Sequence, residues 1–235
     1  MKIISKIYNC LMRRYYFSSS ERYCKYLRSR GVAVGERTHL DPQTSTIDCS
    51  RPSLVSIGTD CYMNSGFSII THDWVTNVFI NSGREFLPSS GKVVIGNNVS
   101  FGRNVMVLKG VTIGDNCFIG AGSIVSRSVP ANSVAVGVPC KVIMSIEEYY
   151  NRRKGECVVE ALNYARSIKE RFNRRPRVED FWEEFSLFID GENIHEYPEM
   201  NEVIRRQCGP SYESFVKGHK AMYRGFDEFL NAAGV

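Results

Sequence analysis

The amino-acid sequence predicts a mainly β fold: a solenoid of short stacked strands, with a helical segment before it and a helical domain after it. Three observations carry this expectation. Apolar residues recur at every sixth position through the middle of the chain. Glycine, asparagine and aspartate fall at fixed offsets within that period. From about residue 145 onward glycine thins out, charge rises and the apolar spacing becomes helical.

The first segment, 1–31, opens with the basic and partly apolar stretch MKIISKIYNCLMRRYYF. A secretory signal needs a longer unbroken apolar run and a small-residue cleavage site. No stretch approaches the roughly 20 apolar residues that span a bilayer. The expectation is a helix covering one end of the fold, with Tyr15, Tyr16, Tyr23, Tyr26 and Leu27 spaced at threes and fours. A helix resting on anionic lipid is the alternative, and no membrane association beyond a peripheral one is expected. Ser18 to Ser20 offer a break or an N-cap.

The middle segment, 32–144, carries the repeat. From Ile95 it reads IGNNVS, FGRNVM, VLKGVT, IGDNCF, IGAGSI, VSRSVP. The first positions are Ile95, Phe101, Val107, Ile113, Ile119 and Val125, and the fifth are Val99, Val105, Val111, Cys117, Ser123 and Val129. An upstream block, IGTDCY, MNSGFS, IITHDW, keeps the same phase, and Val34 and Leu40 suggest an earlier start. A period of six suits neither an amphipathic helix nor a plain strand. It suits a short strand and a turn, repeated, with the first and fifth side chains inward. Stacked coils then bury a continuous core. Gly58, Gly96, Gly102, Gly114 and Gly120 at the second position, with nearby Asn and Asp, fit turns, including turns of positive φ.

The last segment, 145–235, shows three apolar faces. One runs through Val158, Ala161, Leu162, Ala165, Ile168 and Phe172. A second, after Pro176, runs through Val178, Phe181, Trp182, Phe185, Phe188 and Ile189. A third joins Phe215, Met222, Phe226, Phe229 and Leu230. Pro176, Gly191 and Gly209-Pro210 separate them.

Composition narrows the function. A formal charge of +5 on 235 residues suits an anionic small ligand. No run of like charge and no interleaved aromatic and basic motif points to nucleic acid, so no such partner is expected. The eight cysteines stand singly, without the CxxC pairs of zinc sites. They read as small apolar fillers in a reducing compartment, which places the protein in the cytoplasm.

The middle segment resembles the hexapeptide-repeat acyltransferases. The stretch GAGSIVSRSVPANSVAVGVPCKVI, 120–143, is similar to the closing coil of maltose, galactoside and polysaccharide-cluster O-acetyltransferases. IDCSRPSLVSIG, ITHDW and EEYYNRRK lean toward the polysaccharide branch. The resemblance covers about half the chain. It implies a left-handed parallel β-helix of triangular coils, a homotrimer with sites between neighbouring prisms, acetyl-CoA as co-substrate and a sugar or glycan acceptor.

Acetyl transfer from a thioester needs a base, donors for the developing oxyanion and a grip on the donor. His72 is the expected base. It stands where the repeat stops, before the non-repetitive stretch 75–91, and the family's catalytic histidine occupies the matching place. Asp73 is a secondary candidate, to orient an imidazole or touch substrate. Its fifth position would turn it inward, and neighbours in an extended segment point to opposite faces. The resemblance further implies coenzyme A contacts at Arg103, Ala121, Ser126, Arg127 and Lys141. Two positions depart from the pattern: Ser100-Phe101 stands where many relatives carry a Trp, and Met144 where one carries a second basic contact.

No metal is expected. A zinc hydratase on the same architecture needs three histidines per site, and only His39 and His72 lie in the repeat zone. His39, His195 and His219 read as surface or packing residues. The competing functions are acetylation of serine or of a nucleotide-linked amino sugar, and a non-catalytic scaffold.

Overall fold

The structure is a computed structural model that describes residues 12 and 14–235. The helix expected over the first eleven residues lies outside them. The chain forms two compact units, 1–149 and 150–235.

The first unit opens with α1 (Ser20–Ser29), capped by Ser19, whose hydroxyl accepts the Arg22 N–H at 3.3 Å. Its apolar stripe buries Tyr23, Cys24 and Leu27. Ser20 Oγ accepts the Leu40 N–H at 2.9 Å, tying the helix to the first coil.

From there the chain visits three sheets in rotation. One sheet stacks β1 (Ala33–Val34), β4 (Val55–Ile57), β7 (Val93–Ile95) and β10 (Thr112–Ile113). The next stacks β2 (His39–Leu40), β5 (Tyr62–Met63), β8 (Val99–Phe101), β11 (Cys117–Ile119) and β13 (Ser133–Val136). The third stacks β3 (Thr46–Ile47), β6 (Ser68–Ile69), β9 (Met106–Val107) and β12 (Ile124–Val125). Pairing is parallel throughout, until β14 (Lys141–Ser145) adds antiparallel to β13. The rotation creates three edges: first to second sheet, second to third, and third back to first.

The inward positions are those the repeat marks. Ile95, Phe101, Val107, Ile113, Ile119 and Val125 are buried, as are Val99, Val105, Val111, Cys117, Ser123 and Val129. Val34 and Leu40 are buried too, so the early start is part of the same core. Phe67 and Phe101 fill the axis, with ring centroids 4.8 Å apart.

Positive φ falls elsewhere than at the second-position glycines. It falls at the fourth position: Asp60, Asn98, Asn104, Gly110, Asn116 and Gly122. Asparagine and aspartate tolerate this region through local hydrogen bonding. Asn98 Nδ2 donates to Asn116 Oδ1 at 2.9 Å, and Asn116 Nδ2 to Asn132 Oδ1 at 3.1 Å, forming a ladder up the first edge. The second-position glycines answer a different need. A Cβ on Gly102 would lie 2.4 Å from the Ala121 nitrogen, and one on Gly114 2.4 Å from the Ala131 nitrogen. Coil presses on coil there, and only hydrogen fits.

The second unit packs Ala161, Ala165 and Ile168 of α3 (Ile146–Phe172) with Phe181, Phe185, Phe188, Phe229 and Leu230. Phe181 is the hub, its ring edge-on to Phe188 at 5.8 Å and to Phe229 at 5.2 Å. Two further helices, α4 (Pro198–Cys208) and α5 (Tyr212–Gly218), lead to α6 (Phe226–Ala233). The second apolar face is not an α-helix. It folds as 3-10 turns over Val178–Asp180 and Glu184–Leu187. Spacings of three serve either form, and Asp180 pins the tighter one. Its carboxylate takes the Arg177 N–H at 2.8 Å and the Arg174 guanidinium at 2.7 Å. Phe172, Trp182 and Met222, assigned to apolar faces by spacing, are exposed. Phe172 ends its helix under the Arg174 guanidinium, 5.8 Å from the ring centre.

Candidate active site

Between β6 and β7 the chain leaves the coil for an excursion and returns. Its stems are clasped by backbone bonds. Gly91 N–H donates to Thr71 O at 2.9 Å, Asp73 N–H to Ser89 O at 3.4 Å, and His72 bridges Ser90 antiparallel. The short helix α2 (Thr76–Asn81) lies on the excursion, and Thr76 Oγ1 accepts the Leu87 N–H at 3.1 Å. Thr71 is fully buried, so the inward position comes two residues earlier than the repeat would put it. Asp73 is therefore exposed and not inward-facing.

His72 stands at this departure point on the third edge, its side chain 21% exposed. Its Nδ1 lies 2.7 Å from Oδ2 of Asp48, a residue just past β3 on the adjacent coil. Asp48 is itself heavily tied. Oδ1 accepts from the Ser50 N–H at 3.0 Å and the Ser50 hydroxyl at 2.6 Å. Oδ2 accepts from the Thr71 N–H at 3.2 Å and from the Thr71 hydroxyl. Partial burial pushes the Asp48 carboxyl up, but the donors from Ser50, Thr71 and His72 outweigh it and hold the group well below the usual carboxylate range. An ionised carboxylate only accepts, so Nδ1 carries a proton, and in the neutral form of the ring the lone pair is on Nε2.

Asp73 serves another partnership. Its carboxylate takes the Lys109 ammonium, and Ser89 Oγ donates to it at 3.0 Å. Lys109 also donates to Ser89 Oγ. The Lys109 bond, with that from the Val75 N–H, lowers the Asp73 carboxyl to about 2. Asp73 and Lys109 thus button the excursion to the next coil, and Asp48, not Asp73, holds the imidazole. Beyond Asp73 the excursion shows apolar side chains to solvent: Trp74, Val78, Phe86 and Leu87. The Trp74 ring stands edge-on to His72 at 6.2 Å.

The positions matched to coenzyme A contacts divide between two edges. Ser126 and Arg127 follow β12 on the third edge, above Lys109 in the stack. Arg103 and Ala121 lie on the second edge, where the Gly122 N–H donates to Arg103 O at 2.8 Å. Lys141 starts β14 just past that edge. All five are exposed. One chain therefore pairs His72 with Asp48, places Lys109, Ser126 and Arg127 further along the same edge, and sets Arg103, Ala121 and Lys141 on or beside another.

Among the other histidines, His39 stacks on Tyr62 at 4.7 Å, His195 is exposed, and His219 Nε2 meets Ser186 O at 2.7 Å. Among the described residues no group of three His, Cys, Asp or Glu side chains could hold a metal. Among them too, no helix is long and apolar enough to cross a membrane. Cys24, Cys61, Cys117 and Cys140 are buried, as fillers would be.

Sequence reasoning missed Asp48 and Lys109. A signal for Asp48 existed, because it directly follows Ile47, the residue that pairs with Ile69 one coil above. Lys109 is a cation at the third position of a hexad, a place that by itself reads as surface.

The model for "Bacterial transferase hexapeptide (six repeats)" matches residues 92–127. Over 149 residues the chain is 35% identical to the galactoside O-acetyltransferase of Escherichia coli (strain K12), spanning 56% of this chain and 72% of the relative. It is 31% identical over 132 residues to the putative acetyltransferase YvoF of Bacillus subtilis (strain 168), spanning 56% and 69%. A solved galactoside acetyltransferase in complex with coenzyme A aligns with a TM-score of 0.40 at 28% identity, over 62% of this chain and 80% of that one. A rotation of parallel strands on a six-residue period, and kinship over most of a galactoside O-acetyltransferase, together establish that the chain belongs to the hexapeptide-repeat acetyltransferases.

Proposed function

We propose that the protein transfers an acetyl group from acetyl-CoA to a sugar hydroxyl, in the making of a surface polysaccharide, with His72 as general base. The hydrogen bond between His72 Nδ1 and Asp48 carries this reading, since it leaves Nε2 as the acceptor of a proton. Nε2 takes the proton from the acceptor hydroxyl as its oxygen attacks the thioester carbonyl. The tetrahedral intermediate collapses, the carbon–sulfur bond breaks, and the imidazolium returns the proton to the leaving thiolate. Asp48 acts through His72 as a positioning residue, fixing the tautomer and balancing the charge of the imidazolium.

The prism winds left-handed and assembles as a homotrimer. Support for the trimer comes from the division of the site between edges. A cofactor held near Arg103, Ala121 and Lys141 meets the His72 of a neighbouring copy, with Ser126 and Arg127 flanking that histidine. The exposed apolar side chains of the excursion, Trp74 foremost, then line the acceptor side.

The test is acetyl transfer to a panel of sugars, read by chromatography of free coenzyme A and mass gain of the sugar. Transfer falls about 10²–10⁴-fold in His72→Ala, the span typical of a general base, with the sedimentation of the trimer unchanged. Unaltered turnover in that variant overturns the assignment, and a monomeric wild type overturns the shared site.

A further inference from the structure

We propose that the helical unit carries its own binding site for an uncharged oligosaccharide, in a cavity of about 320 Å³ between its 188–197 and 220–226 segments. That volume falls at the small end of ligand pockets, roughly 300–1,000 Å³. The two walls are fixed to each other by three hydrogen bonds, two of them between main-chain groups. Tyr223 N–H donates to Leu187 O at 2.9 Å, Gly191 N–H to His219 O at 3.0 Å, and Ala221 N–H to Asp190 Oδ1 at 2.7 Å.

The lining combines aromatic faces with unspent hydrogen-bonding groups. Phe226 and Tyr223 are half-buried and held by the core, Phe226 against Phe188 at 5.0 Å and Tyr223 against Phe229 at 5.6 Å. Around them the side chains of Asn193, Glu196, Tyr197 and Arg224 make no hydrogen bond or ion pair among the described residues. Lys220, by contrast, is committed to Glu192 at 2.7 Å and Asp190 at 3.6 Å. The free groups are thus an amide, a carboxylate, a phenol and a guanidinium, and their charges cancel.

This chemistry selects the ligand class. A phosphorylated ligand would meet the Glu196 and Asp190 carboxylates as well as the cations. An apolar ligand would strip water from four polar groups and return nothing. A sugar offers hydroxyls to the polar rim and C–H faces to the rings. The choice of sugar rests in part on the acceptor class proposed above.

The experiment uses the full chain with maltotriose, lactose and N,N′-diacetylchitobiose as probes, and inorganic pyrophosphate as the anionic competitor. Saturation-transfer NMR and calorimetry read binding. Circular dichroism verifies that Arg224→Ala, Asn193→Ala and Glu196→Gln fold, which is expected for exposed residues without partners. At least one sugar should show a saturable component that weakens tenfold or more in Arg224→Ala and Asn193→Ala, persists in His72→Ala, and resists pyrophosphate. Absence of any such component in the wild type overturns the proposal, as does a component that survives the variants or yields to pyrophosphate. If sugars are acetylated but this component is missing, the site falls and the acetyltransferase reading stands. If the component is present but no sugar is acetylated, the reverse holds.

Discussion

Replacing Asp48 by asparagine tests the heart of the site while changing almost no volume. The carboxylate accepts two donors from Ser50 on one oxygen and, on the other, two from Thr71 and one from His72. An amide keeps one oxygen and turns the other into a donor. Placed toward Ser50, its NH₂ faces an N–H and a hydroxyl; placed toward Thr71 and His72, it faces three groups that donate. Either way a donor meets donors in a site where Asp48 is only 11% exposed. A buried group left unsatisfied costs about 1–3 kcal/mol, and a charge-assisted bond to the imidazolium is worth about 1.5–3 kcal/mol. The catalytic loss is thus about 10- to 150-fold in kcat/KM, since each 1.36 kcal/mol is tenfold. Steady-state transfer, with free coenzyme A separated by chromatography, reads it. In a His72→Ala background the same substitution should cost nothing further, because Asp48 works through that ring. Additive losses in the double variant, or full activity in the single one, would refute the argument.

Other consequences follow from the same geometry. In Lys109→Met the Asp73 carboxyl loses the bond that contributes most to holding it near 2. A carboxyl depressed in the fold stabilises above its unfolded value of about 3.9 and ceases to do so as pH falls through the folded one. The melting-temperature gap to wild type should therefore be widest near neutrality, shrink as pH falls below about 4 and close only below about pH 2; a gap that grows in acid contradicts the pairing. Phe101→Ala empties the axis beside Phe67 and should cost about 3–5 kcal/mol in denaturant unfolding; a loss below about 1 kcal/mol would mean the ring is not a core filler. Gly102→Ala forces a methyl against the Ala121 backbone and should lower the melting temperature by several degrees, whereas Gly110→Ala, at a positive φ with open space, should cost about 1 kcal/mol. Equal effects would argue against the division of labour between second and fourth positions.

The repeat was legible because a solenoid writes its core into the chain locally. Ile95 and Val99 each face the axis for the same reason as their counterparts one hexad on, so periodicity alone found them. His72 was legible because it interrupts that regularity. Its partner was harder to read, since Asp48 reaches it by stacking of coils, 24 residues away in sequence. Lys109 is similar: 36 residues separate it from Asp73, and only the path of the excursion brings them together. Glycines at the second position were assigned to turns because flexibility is a local property, while crowding by the next coil is not. In the helical unit, spacings of three and four could not distinguish α from 3-10, and the Asp180 cluster that decides it involves side chains no periodicity reports.

A stack of parallel coils has two raw ends, each a row of backbone groups ready to receive another copy and grow into a fibre. Here one end lies beneath α1, and at the other the chain doubles back as β14, running against the grain of the strand before it. A coil arriving in the common direction would find the wrong pattern of donors and acceptors. The reversal works as a stop codon written in geometry, fixing the length of the stack.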